Sequence, residues 1–490
     1  MTRLIARPLP LLPSVIALVA LVFCPRELSA QAVRGTLLGN VTDQAGLSMP
    51  GVSVTATEVN TNVSAMTVTN ESGYYSFNVR DGVYRVSTEL AGFKKTVREG
   101  VEVAVNTTIR VDLKIEVGVV EESITVTAAT PLLQTDRADT GRIIEGMQIQ
   151  AVPLGFNRNF QGMLVTVPGA TRPFRPHSEF FNAQDSLSTN VNGQSRLANN
   201  VQLEGVDDNH KTGLLTVLIP SAEAIETVSI ATSNYDAEFG RAGGAITNVT
   251  LKSGTNTLKG SAFLFGNTEA TMASGYFSHL RPDTKYLQSG FTLGGPIKRD
   301  RTFFFGDYMH TIDQLGRTTR ATIPTMSFRN GDFSAAPTII YDPATGNPDG
   351  TGRTPFPGNV IPANRISPIA RSILQNMPEP NLGAALGQIN YQAPYVRDKT
   401  TKQFDLKINQ QIGNKDQVSA RLSFQKPEII DPPVFGLFGG GGKDFAGTGT
   451  NLTYSTGANY NRVWTNTLVM ELRGGLSYYH NEALAAGAGQ

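Results

Sequence analysis

Hydrophobic and polar positions alternate with a period of two along much of this chain. Phe404, Leu406 and Ile408 alternate with Asp405, Lys407 and Asn409. Val418, Ala420, Leu422 and Phe424 alternate with Ser419, Arg421, Ser423 and Gln425. Leu468, Met470, Leu472 and Leu476 share one face, while Glu471, Arg473 and Ser477 share the other. This is the period of a β-strand with two unlike faces. By itself it does not separate a membrane barrel from a soluble sandwich.

The spacing of the runs does separate them. Strands are predicted near 258–267, 286–296, 301–313, 402–412, 416–427, 451–462 and 466–480. Their connections alternate between long (about 268–285, 314–401 and 428–450) and short (Ile297–Asp300, Gly413–Lys415 and Val463–Thr465). Short turns at one end and long loops at the other predict an antiparallel transmembrane barrel wall. The 314–401 loop is Pro-rich, and a loop of that length is usually functional. It is the expected surface for ligand contact, although no single residue in it stands out.

Upstream, residues 33–115 carry shorter alternating runs. Thr36–Thr42, Val52–Thr57, Ala65–Thr69, Tyr74–Val79 and Tyr84–Glu89 are separated by turns such as Asn70-Glu71-Ser72-Gly73 and Asp81-Gly82. Strands about 8–12 residues apart predict a small sandwich. Residues 131–256 read as a mixed α/β unit of short elements. The stretch 224–266 then joins that unit to the wall. It holds the Gly-rich bend Phe239–Gly244, read as a place of tight turning and close backbone approach, and the turn Ser253-Gly254-Thr255-Asn256.

Composition narrows the chemistry. Over 490 residues the net charge is +1, so bulk electrostatics gives no case for nucleic acid. Cys24 is the single cysteine, within a stretch (1–30) that reads as a signal peptide: Arg3 and Arg7, an apolar run Val15–Phe23, then Leu28-Ser29-Ala30. The mature chain then offers no disulfide and no thiolate ligand. The five histidines are scattered, and no Ser-His-Asp set or paired-carboxylate motif stands out. Asp207-Asp208-Asn209 brings three oxygen side chains together, as calcium sites do, but lacks a spaced ligand loop and is read as turn chemistry. No catalytic, cofactor-binding or metal-ligating residue is therefore expected.

Two resemblances extend this reading. Gly39–Asp43, Pro50–Val54, Thr69–Tyr75, Gly82–Tyr84 and Gly92-Phe93 resemble the carboxypeptidase regulatory-like domain, a transthyretin-like sandwich. Ile225–Val228, Glu238–Gly240, Gly243–Asn248 and Leu251–Thr255 resemble the plug-to-barrel junction of TonB-dependent outer-membrane receptors. Gly294–Ile297 with Asp300–Tyr308 resembles the subgroup of those receptors that carries the N-terminal sandwich. Phe303, Phe305 and Tyr308 there suit either an interfacial aromatic girdle or packing against the plug. Glu122, Ser123, Ile124, Thr125, Val126, Thr127 and Ala128 resemble a TonB box, the strand that pairs with a periplasmic energy-coupling protein. A last strand of the sandwich is the competing reading of those residues.

The resulting expectation is a mainly β chain. Its parts are a signal peptide (1–30), a sandwich (31–117), a linker with the TonB-box-like strand (118–130), an α/β plug (131–256) and the opening part of a transmembrane barrel (257–490). The resemblance implies an outer-membrane receptor, not an enzyme, with outer-membrane lipid and a TonB-type protein as partners. It would import an extracellular ligand such as an oligosaccharide, a peptide or a siderophore. An adhesion or secretion scaffold without energy-coupled import is the alternative. Plugged transporters need about 22 strands, and seven are read, so the chain is expected to be a fragment or a truncated product.

Overall fold

The computed structural model describes residues 34–105, 107–118, 123–127, 140–213, 215–235, 239–240, 242–273, 283–383, 385–413, 415–435, 446–465 and 468–486, with backbone only at 123–127 and 156. The segment 1–30 with Cys24, the strand-flanking Glu122 and Ala128, and Pro131-Leu132-Leu133 lie outside the described residues.

The sandwich forms from β1 (Gly35–Thr42), β2 (Ser53–Glu58), β3 (Ser64–Val68), β4 (Tyr74–Val79), β5 (Gly82–Glu89), β6 (Lys95–Val103), β7 (Thr108–Arg110), β8 (Leu113–Lys114) and β9 (Ser123–Thr127). One sheet has the order β4-β1-β7, with β8 also on β1; the other runs β3-β2-β5-β6-β9. Alternate residues of each strand point inward, so Leu37, Val41, Val54, Ala56, Tyr75, Val86 and Val101 meet in one core. The predicted turn at Asn70 is built by its side chain: Oδ1 accepts from Ser72 N (3.0 Å) and Tyr74 N (2.9 Å).

The plug consists of β10 (Thr140–Glu145), a short helix α1 (Gly146–Ala151), β11 (Asn200–Leu203), β12 (Val206–Asp207), β13 (Ile225–Ser233) and β14 (Ile246–Leu251). Its sheet has the order β10-β13-β14-β11-β12. All six residues of β14 are buried, as a central strand covered on both faces should be. Ile144, Phe160, Leu203, Ile225, Val228 and Val249 form its core, and Phe305 of the wall inserts into the same cluster.

The wall is β15 (Lys259–Thr268), β16 (Thr284–Lys298), β17 (Thr302–Ala321), β18 (Tyr391–Ile412), β19 (Asp416–Asp431), β20 (Gly447–Thr465) and β21 (Leu468–Ala485). Each pairs antiparallel with the next, and the sheet is not closed. All seven expected strands form. β17 and β18 run further than their apolar alternation suggests, so the long loop narrows to 322–390. Within it, α2 (Met326–Arg329) and α3 (Pro368–Asn376) are tied together by the buried Arg329, which donates to Pro324 O (3.1 Å), Leu374 O (3.1 Å) and Met377 O (2.7 Å).

The polarity of the wall is inverted relative to a soluble sheet. Gln403, Asp405, Lys407, Asn409, Arg421, Ser423 and Asn451 are buried on the plug side, while Leu406, Ile408, Leu422, Leu472 and Leu476 are exposed on the other. An apolar exterior around a polar interior is the transmembrane arrangement. Across the exterior, Phe291, Tyr308, Phe404, Phe424, Tyr454 and Tyr478 are successive register partners on six neighbouring strands. Phe404 and Phe424 stack with centroids 5.2 Å apart. Tyr308 thus belongs to an aromatic belt, whereas Phe303 and Phe305 are buried inward; the girdle expectation holds for one of the three. Ten residues below Tyr454 on the same face of β20 lies Trp464, with the Arg462 guanidinium 4.3 Å from its ring centre. At ~3.4 Å per residue and a tilt of about 40°, ten residues rise about 26 Å, close to the ~25 Å apolar band of such barrels.

That geometry yields a test. Ile408 faces out midway between the belt and the Trp464 level, and Ile430 faces out six residues above the belt. Ile408→Arg is expected to cost about 2–4 kcal/mol of folding stability in bilayers, and Ile430→Arg about 0–1 kcal/mol. Urea titration of the chain refolded into lipid vesicles measures both; equal costs would contradict the assigned membrane band.

Candidate functional site: the plug seat and the coupling strand

Three sets of contacts hold plug, wall and sandwich together, beside single plug–wall bonds such as Ile219 N to Gln425 (3.3 Å) and Asn481 to Phe180 O (2.9 Å). The first is the turn between β11 and β12, where Glu204 (φ +53°) and Gly205 (φ +72°) take the left-handed conformation in succession. That is a costly conformation for a glutamate unless its side chain is held. Glu204 Oε1 accepts from Leu251 N (2.8 Å) and from Lys407 Nζ (2.7 Å), and Lys407 also donates to Leu251 O (2.9 Å). The end of β14 is thereby clamped to β18. Arg421 of β19, buried beside it, donates to Ser423 Oγ (2.7 Å) and Ser455 Oγ (3.0 Å).

The second set lies at the opposite end of the wall. Residues 175–186 form a knot around the fully buried Asn182, whose Nδ2 donates to Pro176 O (3.0 Å) and Ser186 O (2.8 Å) and whose Oδ1 accepts from Ser186 N (2.8 Å). From this knot Glu179 reaches Arg317 (3.0 Å) and Arg397 (3.0 Å), and Asp185 pairs with Arg175 (2.6 Å) and Lys399. Arg397 in turn meets Asp313 of β17 at 2.9 Å. Four cations and three carboxylates alternate across the plug–wall boundary, so each charge has an opposite neighbour.

The third set joins the sandwich to both other parts. Asn256, in the plug-to-wall turn, donates from its N to Asn60 O (3.0 Å) and from Nδ2 to Thr61 O (2.8 Å) and Asp300 Oδ1 (2.7 Å). Arg34 donates to Gln417. The contacts fall at Asp300 and Gln417, beside short turns, so the sandwich sits at the short-turn end. A cavity of about 430 Å³ lies between the three parts, lined among others by Asp81, Tyr84, Glu226, Lys252, Lys259 and Gln417. Burial raises the Asp81 carboxyl above its usual range, against the pull of Lys407.

Ser123–Thr127, within the TonB-box-like stretch, form β9, parallel to β6, with Lys95 opposite Ser123 and Glu99 opposite Thr127. The strand thus occupies the sandwich edge, the place of the competing sequence reading. Asp207, Asp208 and Asn209 are engaged in backbone turns: Asp207 Oδ1 accepts from Asn209 N (3.0 Å), and Asp208 Oδ1 accepts from Leu218 N (3.1 Å). Burial holds the Asp208 carboxyl well above the usual carboxylate range.

In the Gly-rich bend, Gly240 has open space where a Cβ would stand. The close approaches belong to Gly244, whose Cβ would lie 2.3 Å from Asn199 Oδ1, and to Gly254, 2.2 Å from Phe304 O. The sequence reading missed Lys407, Arg421, Arg397 and Lys399 as plug-holding residues. Alternation with apolar neighbours set Lys407 and Arg421 on one strand face but did not place them against the plug, and Arg397 and Lys399 lack even that pattern.

Comparison with known proteins agrees with this architecture. Residues 36–116 match the carboxypeptidase regulatory-like domain, and residues 250–490 match an outer membrane beta barrel domain. The TonB-dependent transporter Oar of Myxococcus xanthus is 26% identical over 309 residues, covering 59% of this chain and 28% of that protein. Among solved structures, the ferric enterobactin receptor PfeA of Pseudomonas aeruginosa aligns with 71% of this chain and 42% of its own, at 10% identity and a TM-score of 0.41. The outer membrane transporter YddB of Escherichia coli aligns with 70% of this chain and 39% of its own, at 10% identity and a TM-score of 0.41. The chain spans about a quarter of the length of the curated relative and under half of these structures.

Proposed function

Because the chain belongs to the TonB-dependent receptors of the outer membrane, we propose that it serves import of a scarce or large extracellular ligand by TonB-coupled movement of the plug. The supporting observation is the seat itself. A plug held by discrete polar clamps to a rigid wall is released by breaking a few bonds, without unfolding either part. Glu204–Lys407 lies toward the sandwich and Glu179–Arg397 toward the loop end, so a charged fastening lies near each face of the plug. Ligand capture would fall to the 322–390 loop and to the 175–186 knot. Oar is named a transporter, and PfeA a ferric enterobactin receptor; a siderophore, an oligosaccharide and a peptide all remain candidate ligands for this chain. No covalent chemistry is required of it.

The coupling step is assigned to Glu122–Ala128, by strand addition to the energy-coupling protein. Ile124→Pro removes a main-chain donor and is expected to weaken capture by an immobilised periplasmic TonB domain at least tenfold, equivalent to about 1.4 kcal/mol. Undiminished capture would reject the coupling role and favour the adhesion or secretion scaffold.

A further inference from the structure

The position of β9 carries an inference about how the partner is met, and it rests on the coupling role just proposed. A strand has two hydrogen-bonding edges. β9 gives one to β6, from Ser123 opposite Lys95 to Thr127 opposite Glu99. It is the end strand of its sheet, and among the described residues no strand pairs with its other edge. Ser123–Thr127, five of the seven residues that resemble a TonB box, are thus already extended, and among the described residues one row of their backbone groups has no strand partner.

We propose that the sandwich is a docking platform. The periplasmic partner adds its strand to the free edge of β9 while β9 stays on β6, so the sheet β3-β2-β5-β6-β9 grows by one strand. The occupant is an energy-coupling domain that itself ends in an open sheet edge. Two physical arguments favour addition over displacement. A strand held extended has already lost the conformational freedom that a free segment loses on binding. Removing β9 would also bare the edge of β6, a row of unpaired donors and acceptors that addition leaves covered.

The platform has a mechanical corollary. A pull on β9 is shared with the whole sandwich, so the first bonds loaded are those of Asn256 to Asn60 and Thr61 and of Arg34 to Gln417. Their loss opens the 430 Å³ cavity beneath the plug before the Glu204–Lys407 clamp is reached.

A disulfide across the β6–β9 pair tests the idea in the full chain. Val97 and Thr125 are register partners, as are Glu99 and Thr127, and neighbouring strands lie within disulfide range. With Cys24→Ser as background, Val97→Cys/Thr125→Cys and Glu99→Cys/Thr127→Cys are oxidised and examined by non-reducing gel and mass spectrometry. The probe is a purified periplasmic TonB domain. The expected result is an intramolecular cross-link, with the locked chain binding the probe within about twofold of the reduced chain. Failure of both pairs to cross-link, while their thiols still react with a maleimide, would overturn the placement of β9. A loss of tenfold or more on locking, restored by reductant, would show that β9 must leave β6 and would overturn addition. Binding by neither form would reject the coupling role and the platform with it, while the cross-link would still report where β9 lies.

Discussion

Arg397→Met is expected to unseat the loop end of the plug. The Arg397 guanidinium, only 1% exposed, bridges Glu179 of the plug (3.0 Å) and Asp313 of the wall (2.9 Å). Removing one partner from a buried ionic cluster leaves the others uncompensated, at about 3–5 kcal/mol. Arg317 still reaches Glu179 at 3.0 Å, which places the loss toward the lower end. About 3 kcal/mol is roughly a hundredfold in an opening equilibrium. Amide exchange across 175–186 should therefore quicken by about that factor, with the sandwich strands unaffected. Glu179→Gln combined with Arg397→Met should cost less than the sum of the two single changes, because the two side chains act on each other. Unchanged exchange in Arg397→Met would show that the knot is held by its Asn182 stitching alone.

Gly254→Ala is expected to damage assembly more than any other single methyl in the junction. Gly254 lies where the chain passes from β14 to β15, and its backbone is not in the left-handed region. Space is the constraint: an added Cβ would stand 2.2 Å from Phe304 O and 2.6 Å from Gly295 O, both main-chain atoms of paired strands. Neither yields without moving the wall. The junction must slide away from it instead, drawing Lys252 Nζ off Glu223 O (2.8 Å) and Asn256 off Asn60 and Thr61. Overpacking alone costs about 1–3 kcal/mol, and the lost hydrogen bonds add to it. Gly240→Ala, with nothing within 4 Å of the new methyl, is the matched control and should be near neutral. The protease-resistant fraction of each variant in outer-membrane preparations measures the difference. Equal fractions would contradict the close approach.

Much of this fold could be read from the residues. Turn chemistry at Asn70–Gly73 and the alternation in β17–β21 are local properties, and the structure follows them. Which face of the wall meets lipid was less accessible. In a soluble sheet Leu406 and Ile408 would turn inward and Lys407 outward. The rhythm of long and short connections, with the resemblance at the plug-to-barrel junction, argued for the reverse. The upper parts of β17 and β18 escaped notice for a related reason. Above the aromatic belt there is no lipid to exclude polar side chains, so Gly316-Arg317-Thr318-Thr319-Arg320 forms strand without an apolar face. The plug seat was not legible at all. Glu179 and Arg397, or Asp185 and Lys399, are far apart in sequence, and no local pattern links them. β9 was legible as a strand, with the sandwich edge one of its two readings, but its parallel partner β6 was not, because that pairing depends on the sandwich being folded.

The height of the wall sets where recognition takes place. β18 continues thirteen residues from Phe404 in the belt to Tyr391 at its outer end. At ~3.4 Å per residue and a tilt of about 40°, that is roughly 34 Å of strand standing clear of the hydrocarbon. The 322–390 loop is thus carried on a parapet taller than the lipid band beneath it. A macromolecule in the surrounding medium would meet this loop well before it met the bilayer, so the first collision is set by the parapet's rim and not by the membrane plane.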